Sequence, residues 1–526
     1  MAKNAGKIDI EMHKGTSNLT SFGGLCSVIK LFFKMGLDKS IDALIGARNE
    51  RGAKDSEHVL SLVLLNLAGG TAVDNLNFLR EKLAFEKFGI RIPSPSAGRE
   101  WLKSFHNPSE DSKRGMGQAF IPEENKYLSG WRDVFAKSFH FAWKLNPRAF
   151  LTLDMDDTEI ETGVEGSLFN YKGNRGFWAF ITYCAELGQI VSTRFCDGNV
   201  PPGWRQLEEF RHVLGTVPDD VEEVALRSDS AGYRVELLRF CNENPEKRFR
   251  RIYYGVSADV NSEFRAAAKG VSEAEWKPLK TFEDKNGKIV VLQEWAEVAY
   301  APNSLSTKKH GPDYRFFAVR EKWDGSGKDT EKEESPEKPV AGREGHGEQL
   351  YLEGAIETLE AKSDKVRKLH LTQFGGSIYK LFGVASNIED GADGEPFGLA
   401  AGEKMDGRTI IEWQRKRCGK SEEVHHIVKE ELAGGHVPSK YFGANAAWFN
   451  AAALAFNLHT ILKLFFLPEE YRKSRPRTLR FLLYTMAGKI VNHGRRIVLK
   501  LWEGDYGGKL LAGALAKLES LPEPGS

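Results

Sequence analysis

Residues 444–467, ANAAWFNAAALAFNLHTILKLFFL, limit the fold of this chain more than any other stretch. A helix this apolar must lose its whole circumference to a bilayer or to a protein core. A membrane span needs about 20 mostly apolar residues. Asn450, Asn457, His459 and Lys463 interrupt the run, so it reads as a helix buried inside a core. Enclosing such a helix takes a large folded chain. The 526 residues, 41% of them hydrophobic, provide the material for two to four domains.

A net charge of +1 gives no sign of a polyanion partner for the chain as a whole. Local balance is different: from Arg472 to Lys500 there are nine Lys or Arg and no Asp or Glu. Five cysteines, at positions 26, 184, 196, 241 and 418, form no CxxC. The odd count argues against a disulfide framework and a cysteine zinc site, and points to a reducing cytoplasm. The first residues, MAKNAGKIDIEMHKG, contain no apolar core of a signal peptide.

Residues 20–145 read mostly as helices. LCSVIKLFFKMGLDKSIDALI has helical apolar spacing, and Ser56 is a candidate N-cap for SEHVLSLVLLNLAGG with its Gly-Gly stop. Thr71 is a candidate cap for a helix through Leu83, and IPSPSAGREWLKSF is a turn feeding another. The pattern changes near residue 149. AFLTLDMDDTEIE, GFWAFITYCAE and QIVSTRFCDGN are strand-like, RQLEEFRHVLG is helical, EEVALRSDSAG is a strand, YRVELLRFCNE a helix and RRIYYGVS a fifth strand. That alternation indicates a mixed α/β sheet.

Residues 276–412 interrupt it. Asn286-Gly287 lies between strand-like flanks as a hairpin signal, and YRFFAVREKW and YKLFGVASNI are further strand candidates. The charged, nearly apolar-free segment near 324–347 is expected to be a disordered loop. TIIEWQRKRCGKSEEVHHIVKEEL then reads as one long charged helix, with 444–467 packed behind it.

Acids at the carboxyl ends of strands face the ligand crevice of α/β sheets. Asp156 ends the first strand in LDMDDT and Asp229 the fourth in ALRSDSAGY. Alternation puts Asp154 and Asp156 on one face and Asp157 on the other. Loop capping is the competing reading for both, helix capping specifically for Asp229. Glu422 shares a helix face with Lys429, seven residues on and about 10 Å away along the axis. A carboxylate on metal beside a lysine on phosphate is one use of that pair; a solvated charged face is the other. His425 and His426 lack the further ligands of a zinc site.

LDMDDT, LRSDSAGY and RCGKSEEVHHIVKEEL together resemble, in order, the three acidic motifs of DDE transposases, and the match is best to the insertion-sequence 1380 family, transposase DDE group 1. RFCDGN and FGANAAWFNAAALAFNL extend the resemblance. It implies a ribonuclease-H-like catalytic domain with Asp156, Asp229 and Glu422 as metal ligands for two Mg²⁺ or Mn²⁺ ions. Asp154 rivals Asp156, and Glu423 rivals Glu422; the spacings to Thr158 and Lys429 favour Asp156 and Glu422. The acidic helix resembles the signature Tyr-x2-Arg-x3-Glu-x6-Lys, with Cys418 where Arg is usual and Trp413 off the Tyr spacing. Arg415 or Arg417 then stands in for the phosphate-binding Arg.

The resemblance implies cut-and-paste transposition through a DNA hairpin, by a homodimer on double-stranded terminal repeats and target DNA, at the bacterial nucleoid and away from membranes. Lys429, Arg415, Arg417, Arg472, Arg475, Arg477, Arg480, Arg495 and Arg496 are the expected phosphate contacts. The expected division is a helical DNA-binding region (1–145), a first catalytic part (146–275), a β-rich insertion (276–408), a second catalytic part with the acidic helix (409–467) and a basic helical C-terminal region (468–526). Trp276, Trp295 and Trp323 are candidates for stacking on an extruded base or, alternatively, for the insertion's core.

Overall fold

The computed structural model describes residues 18–47, 52–82, 89–114, 119–120, 124–283, 289–300, 302, 305, 314–323, 371–493 and 496–523. A two-residue strand, β1 (Leu19–Thr20), precedes α1 (Cys26–Lys34) and α2 (Leu37–Leu44), which Gly36 separates within the single apolar stretch read from sequence. α3 (Asp55–Ala68) starts two residues earlier than expected, with Lys54 and not Ser56 at the N-cap. Asp55 is drawn inward, accepting from the Ala47 amide and the Trp101 indole. α4 (Leu76–Lys82), α5 (Pro95–Lys103) and α6 (Lys126–Leu145) follow. Ser94 caps α5 on the Ala97 amide, with Pro95 at the first helical position.

The central sheet is built from β2 (Phe150–Glu161), β3 (Leu168–Phe169), β4 (Arg175–Cys184), β5 (Gln189–Asp197), β6 (Glu223–Ser228) and β7 (Arg251–Ala258). α7 (Gln206–Thr216) connects β5 to β6, α8 (Val235–Glu243) connects β6 to β7, and α9 (Ser262–Gly270) follows. β2, β4 and β5 form an antiparallel meander, whereas β2, β6 and β7 run parallel. Their spatial order is β5-β4-β2-β6-β7.

The insertion supplies β8 (Lys277–Glu283), β9 (Ile289–Val298), β10 (Arg315–Lys322), β11 (Leu371–Phe374) and β12 (Ser377–Ser386). It is not a separate layer. β12 pairs antiparallel with β7 from Gly383↔Ala258 to Ser386↔Gly255, making one sheet of 11 strands. The Asn286-Gly287 turn and the 324–347 loop lie outside the described residues.

The charged stretch read as one helix is two, α10 (Gly407–Arg415) and α11 (Lys420–His426). Gly419 breaks it at φ 79°, a conformation side-chain-bearing residues avoid. α12 (Phe442–Ile461) and the short α13 (Pro476–Leu479) come next. The C-terminal region is not purely helical. β13 (Gly488–His493) and β14 (Arg496–Lys500) form a hairpin that adds β1 through Leu19↔Lys489, ahead of α14 (Tyr506–Glu519). Ile490, Val491, Ile497 and Val498 are β-branched, which favours strands over the helix expected from charge alone.

Every residue of α12 is buried. Phe442–Phe466 is long and apolar enough to cross a membrane, yet 83% of its most apolar window is buried inside the protein. The polar interruptions all have internal partners. Asn450 accepts from the Thr193 hydroxyl at 2.5 Å. Asn457 bonds both the amide and the carbonyl of Ile190, at 2.8 Å each. His459 meets Tyr484 Oη and the Ser474 carbonyl, and Lys463 donates to that same carbonyl. α1–α3, α12, the C-terminal elements and one face of β4–β5 share a single hydrophobic core, so the N- and C-terminal regions are not independent of the central sheet.

Asn457→Leu keeps roughly the volume but leaves two buried backbone groups of β5 unpaired. It is expected to cost about 2–4 kcal/mol and to lower the thermal midpoint measured by circular dichroism. A midpoint equal to that of the native chain would show that α12 does not depend on this clamp.

Candidate active site

Register places the first two acids. β2 and β6 are parallel and in step from Phe150↔Glu223 to Met155↔Ser228. The next residues on the two strands are Asp156 and Asp229, and adjacent strands run about 4.8 Å apart. Asp154, two residues earlier on the same face, is held differently. Arg227 of β6 grips it with two bonds, Nε–Oδ1 at 2.6 Å and Nη2–Oδ2 at 2.9 Å. Arg227 also donates to the Trp413 carbonyl at the end of α10 and stacks over the Trp413 ring. With its side chain fully buried and both oxygens engaged, Asp154 is structural, which removes it as the rival of Asp156.

α10 rides over these strands. Gln414 donates to the Ser228 carbonyl and to Ser257 Oγ, at 3.2 and 3.1 Å. Gly255 on β7 permits this approach, because a Cβ there would lie 2.7 Å from the Trp413 ring. From the α10 end, Arg417 reaches Asp156 with an Nη1–Oδ2 contact of 2.7 Å.

Asp156, Asp157 and Asp229 lie close enough to repel one another. Burial, with the charge of Asp229 adding to it against the pull of Arg417, pushes the Asp156 carboxyl up to about 6. Burial and then the charges of Asp229 and Asp156 push Asp157 up to about 7, opposed by a hydrogen bond from the Gly203 amide. Asp229 itself accepts from the Ala231 amide at 2.9 Å, so it also caps the following turn. Asp156 and Asp229 are carboxylates of the kind that ligate a hard divalent cation, and in this arrangement Arg417 offsets the charge of Asp156. Asp157 and its Gly203 contact were not legible from alternation, because the pairing that draws them in comes from the 200–204 loop. The repeated acids of MDDT were the available hint.

The third acid is placed apart. Ser421 and His425 are buried, while Glu422 lies on the exposed side of α11. Among the described residues, no three His, Cys, Asp or Glu side chains are grouped to hold a metal. Its rival Glu423 is occupied by Lys420 and Arg475.

Several expected phosphate contacts are engaged internally. Arg417 is 7% exposed and bound to Asp156. Lys429 donates to the Glu159 carbonyl of β2 at 2.7 Å, and burial lowers its pKa. Arg415 donates to Gln293 of β9. Arg480 donates to the carbonyls of Asn66, Leu67 and Glu431, binding α3 to the C-terminal region. In this arrangement these four hold protein oxygens, and a phosphate would have to compete with those contacts. Arg472, Arg475 and Arg477 are exposed. Arg472 pairs with Glu469, and Arg475 with Glu423 and Glu431. Arg495 and the side chain of Arg496 lie outside the described residues. Trp276 and Trp295 are buried in the insertion's core, and Trp323 is half-buried beneath Lys380.

The family model for transposase DDE domain group 1 matches residues 3–310 and 391–523. No curated protein matches the chain. A solved structure, the cryo-EM structure of the piggyBac transposase synaptic complex with hairpin DNA, is similar at 11% identity, covering 88% of this chain and 80% of that one, with a TM-score of 0.37.

The raised pKa of Asp157 has a definite sign. The folded chain holds the proton more tightly than the unfolded one, so the group's contribution is intact below the model-peptide value and is lost as pH rises through about 7. Relative to the native chain, metal-free Asp157→Asn should therefore gain thermal stability progressively from pH 3.8 to about 7. At pH 8, added Mg²⁺ should raise the native midpoint and leave Asp156→Asn unmoved. A pH-independent difference would mean that the Asp157 carboxyl is not held protonated by its surroundings.

Proposed function

The chain belongs to the transposase DDE domain group 1 family, and on that premise we propose that it cuts DNA at the ends of a mobile element and joins those ends to target DNA. Asp156, Asp229 and Glu422 are the proposed catalytic acids, in a catalytic domain of ribonuclease-H-like type. The observation that carries the reading is the meeting of Asp156 and Asp229 on adjacent parallel strands, one residue past the Met155↔Ser228 pair, where β6 ends and β2 runs on to Glu161. The strand order β5-β4-β2-β6-β7, antiparallel then parallel, supports the ribonuclease-H-like assignment. The motif set LDMDDT, LRSDSAGY and RCGKSEEVHHIVKEEL supports the finer placement in the insertion-sequence 1380 family.

Bound between these acids, two Mg²⁺ or Mn²⁺ ions would activate the attacking oxygen and stabilise the leaving oxygen of a phosphodiester. The chain's own residues set up that chemistry. Asp156 and Asp229 contribute oxygens from adjacent interior strands of the sheet, which Asp154 and Arg227 hold in register. Arg417 neutralises Asp156, and release of that contact would let α11 turn at Gly419 and carry Glu422 inward. Lys429 would contact phosphate on leaving the Glu159 carbonyl.

Water attacks phosphorus at the element end, the P–O3′ bond breaks, and a 3′-OH and a 5′-phosphate result. The 3′-OH then displaces an oxygen on the opposite strand, closing a hairpin, which a second hydrolysis opens. The regenerated 3′-OH attacks target DNA. Cut-and-paste transposition of this kind requires two ends and so a homodimer on DNA, in the cytoplasm at the nucleoid. A nuclease of the same fold would stop at hydrolysis, and a derived binding protein would cut nothing.

Asp156→Asn, Asp229→Asn and Glu422→Gln are each expected to reduce Mg²⁺-dependent cleavage and strand transfer of duplexes carrying the element's ends to background, while Glu423→Gln retains both. Gel resolution of nicked, hairpin and joined products reads the outcome. Cleavage by Glu422→Gln at the native rate would remove that residue from the site.

A further inference from the structure

The C-terminal region exposes large side chains that the proposed active site does not use, Tyr506 among them accepting from the Tyr471 hydroxyl at 3.0 Å. Phe481 is 85% exposed, Trp502 81%, Tyr506 62% and Leu482 36%. Two segments bring them together. Phe481 and Leu482 belong to the π-helical turn Arg480–Tyr484, and Trp502 and Tyr506 flank the start of α14. The segments are in contact: a Cβ on Gly507 would lie 2.5 Å from the Leu482 carbonyl. Two touching segments thus each expose large apolar side chains, as interaction surfaces do.

Charge selects the occupant. Phe481 and Leu482 lie within, and Trp502 and Tyr506 just beyond, the segment from 472 to 500 with its nine cations and no acids; Glu503 and Asp505 are the acids next to Trp502. Among its described members, Lys473, Arg477, Lys489 and Lys500 are exposed and have no acidic partner. A second copy docking by two-fold symmetry would set this cationic surface against itself. A polyanion is attracted to it. Shape narrows the choice. Single-stranded DNA is held in a groove with bases stacked on its walls, but side chains as exposed as Phe481 and Trp502 protrude. Protruding apolar side chains beside cations suit insertion between base steps of a duplex, with the cations on its phosphates.

We propose that Phe481 and Trp502 are wedge residues of a duplex-DNA docking surface, with Tyr506 and Leu482 beside them and Lys473, Arg477, Lys489 and Lys500 on the phosphates. The proposal rests on the DNA-directed reading above and adds a second contact region, distinct from the catalytic acids.

The test uses the full chain and a mixed-sequence duplex of roughly three helical turns, with dyes at its two ends. Phe481→Ala and Trp502→Ala are expected to weaken binding about five-fold or more each and to abolish the duplex bend seen by energy transfer. The slope of log K against log salt should be unchanged. Arg477→Ala and Lys500→Ala should each reduce that slope by about 0.9. Because these side chains are exposed, circular dichroism should be native in all four variants. Native-like affinity and bending in the Phe481→Ala/Trp502→Ala double variant overturns the proposal. So does equal loss on a single strand of the same length, or a change of oligomeric state by sedimentation without a change in DNA binding. A native chain that binds no duplex at all would instead defeat the DNA-directed reading itself.

Discussion

Asp154 and Arg227 meet inside the sheet with both carboxylate oxygens engaged and both side chains almost wholly enclosed. Separating such a pair leaves a charge stranded in a poor dielectric, at a cost of about 3–5 kcal/mol. A slip of β2 against β6 would do this, and would also turn every side chain of β2 to the opposite face. The pair therefore fixes one register, and that register sets Asp156 beside Asp229. The remaining donor of Arg227 lies on the Trp413 carbonyl, so the same contact seats α10 and directs Arg417 toward Asp156. Two aspartates on one face of one strand thus differ in role because one has its cation built into the neighbouring strand and the other has a cation on a separate helix.

The second constraint is the enclosure of α12. A helix buried all round needs neighbours on every side, and these come from α1–α3, from α6, from β5 and from the C-terminal elements. Asn457 holds β5 where the β4–β5 ladder shifts register between Thr182 and Tyr183. The polar residues that break the apolar run are thus the ones that join the helix to the sheet. The helical half and the catalytic half consequently form one packed body.

Elements governed by local periodicity were legible in the sequence. β2, β4, β5, β6 and β7, with α7 and α8 between them, lie where alternation and helical spacing place them, and so do the flanks of the insertion. Long-range pairing was not legible. Nothing local in YKLFGVASNI states that it will pair with β7 and merge the insertion into the catalytic sheet. The break in the charged helix turns on Gly419, one glycine in a sequence otherwise favourable to helix. The β13–β14 hairpin was hidden because charge was weighed above the β-branched residues at 490–491 and 497–498. In the candidate site, the acids of LDMDDT and LRSDSAGY identified Asp156 and Asp229, although Asp156 does not end its strand: β2 runs on to Glu161. The partnership of Asp154 with Arg227, 73 residues away, has no local signature.

Basic residues show most clearly why a charge count overstates a binding surface. Carbonyl oxygens at non-α turns, and on a strand beyond the end of its neighbour, still need donors. In this fold the donors are cations: Arg480 on the Glu431 carbonyl at the end of the π-helical turn Ile427–Glu431, Lys463 on Ser474, and Lys429 on Glu159. Each bond removes from solvent a charge that the sequence alone would assign to a nucleic-acid face. Burial accordingly lowers the pKa of Lys463 to about 8. The cations left facing outward are those with no carbonyl to serve, such as Lys473, Arg477, Lys489 and Lys500. The C-terminal segment therefore divides by burial into a clasp that ties α3 to the catalytic half and a cationic rim on the surface of the same fold.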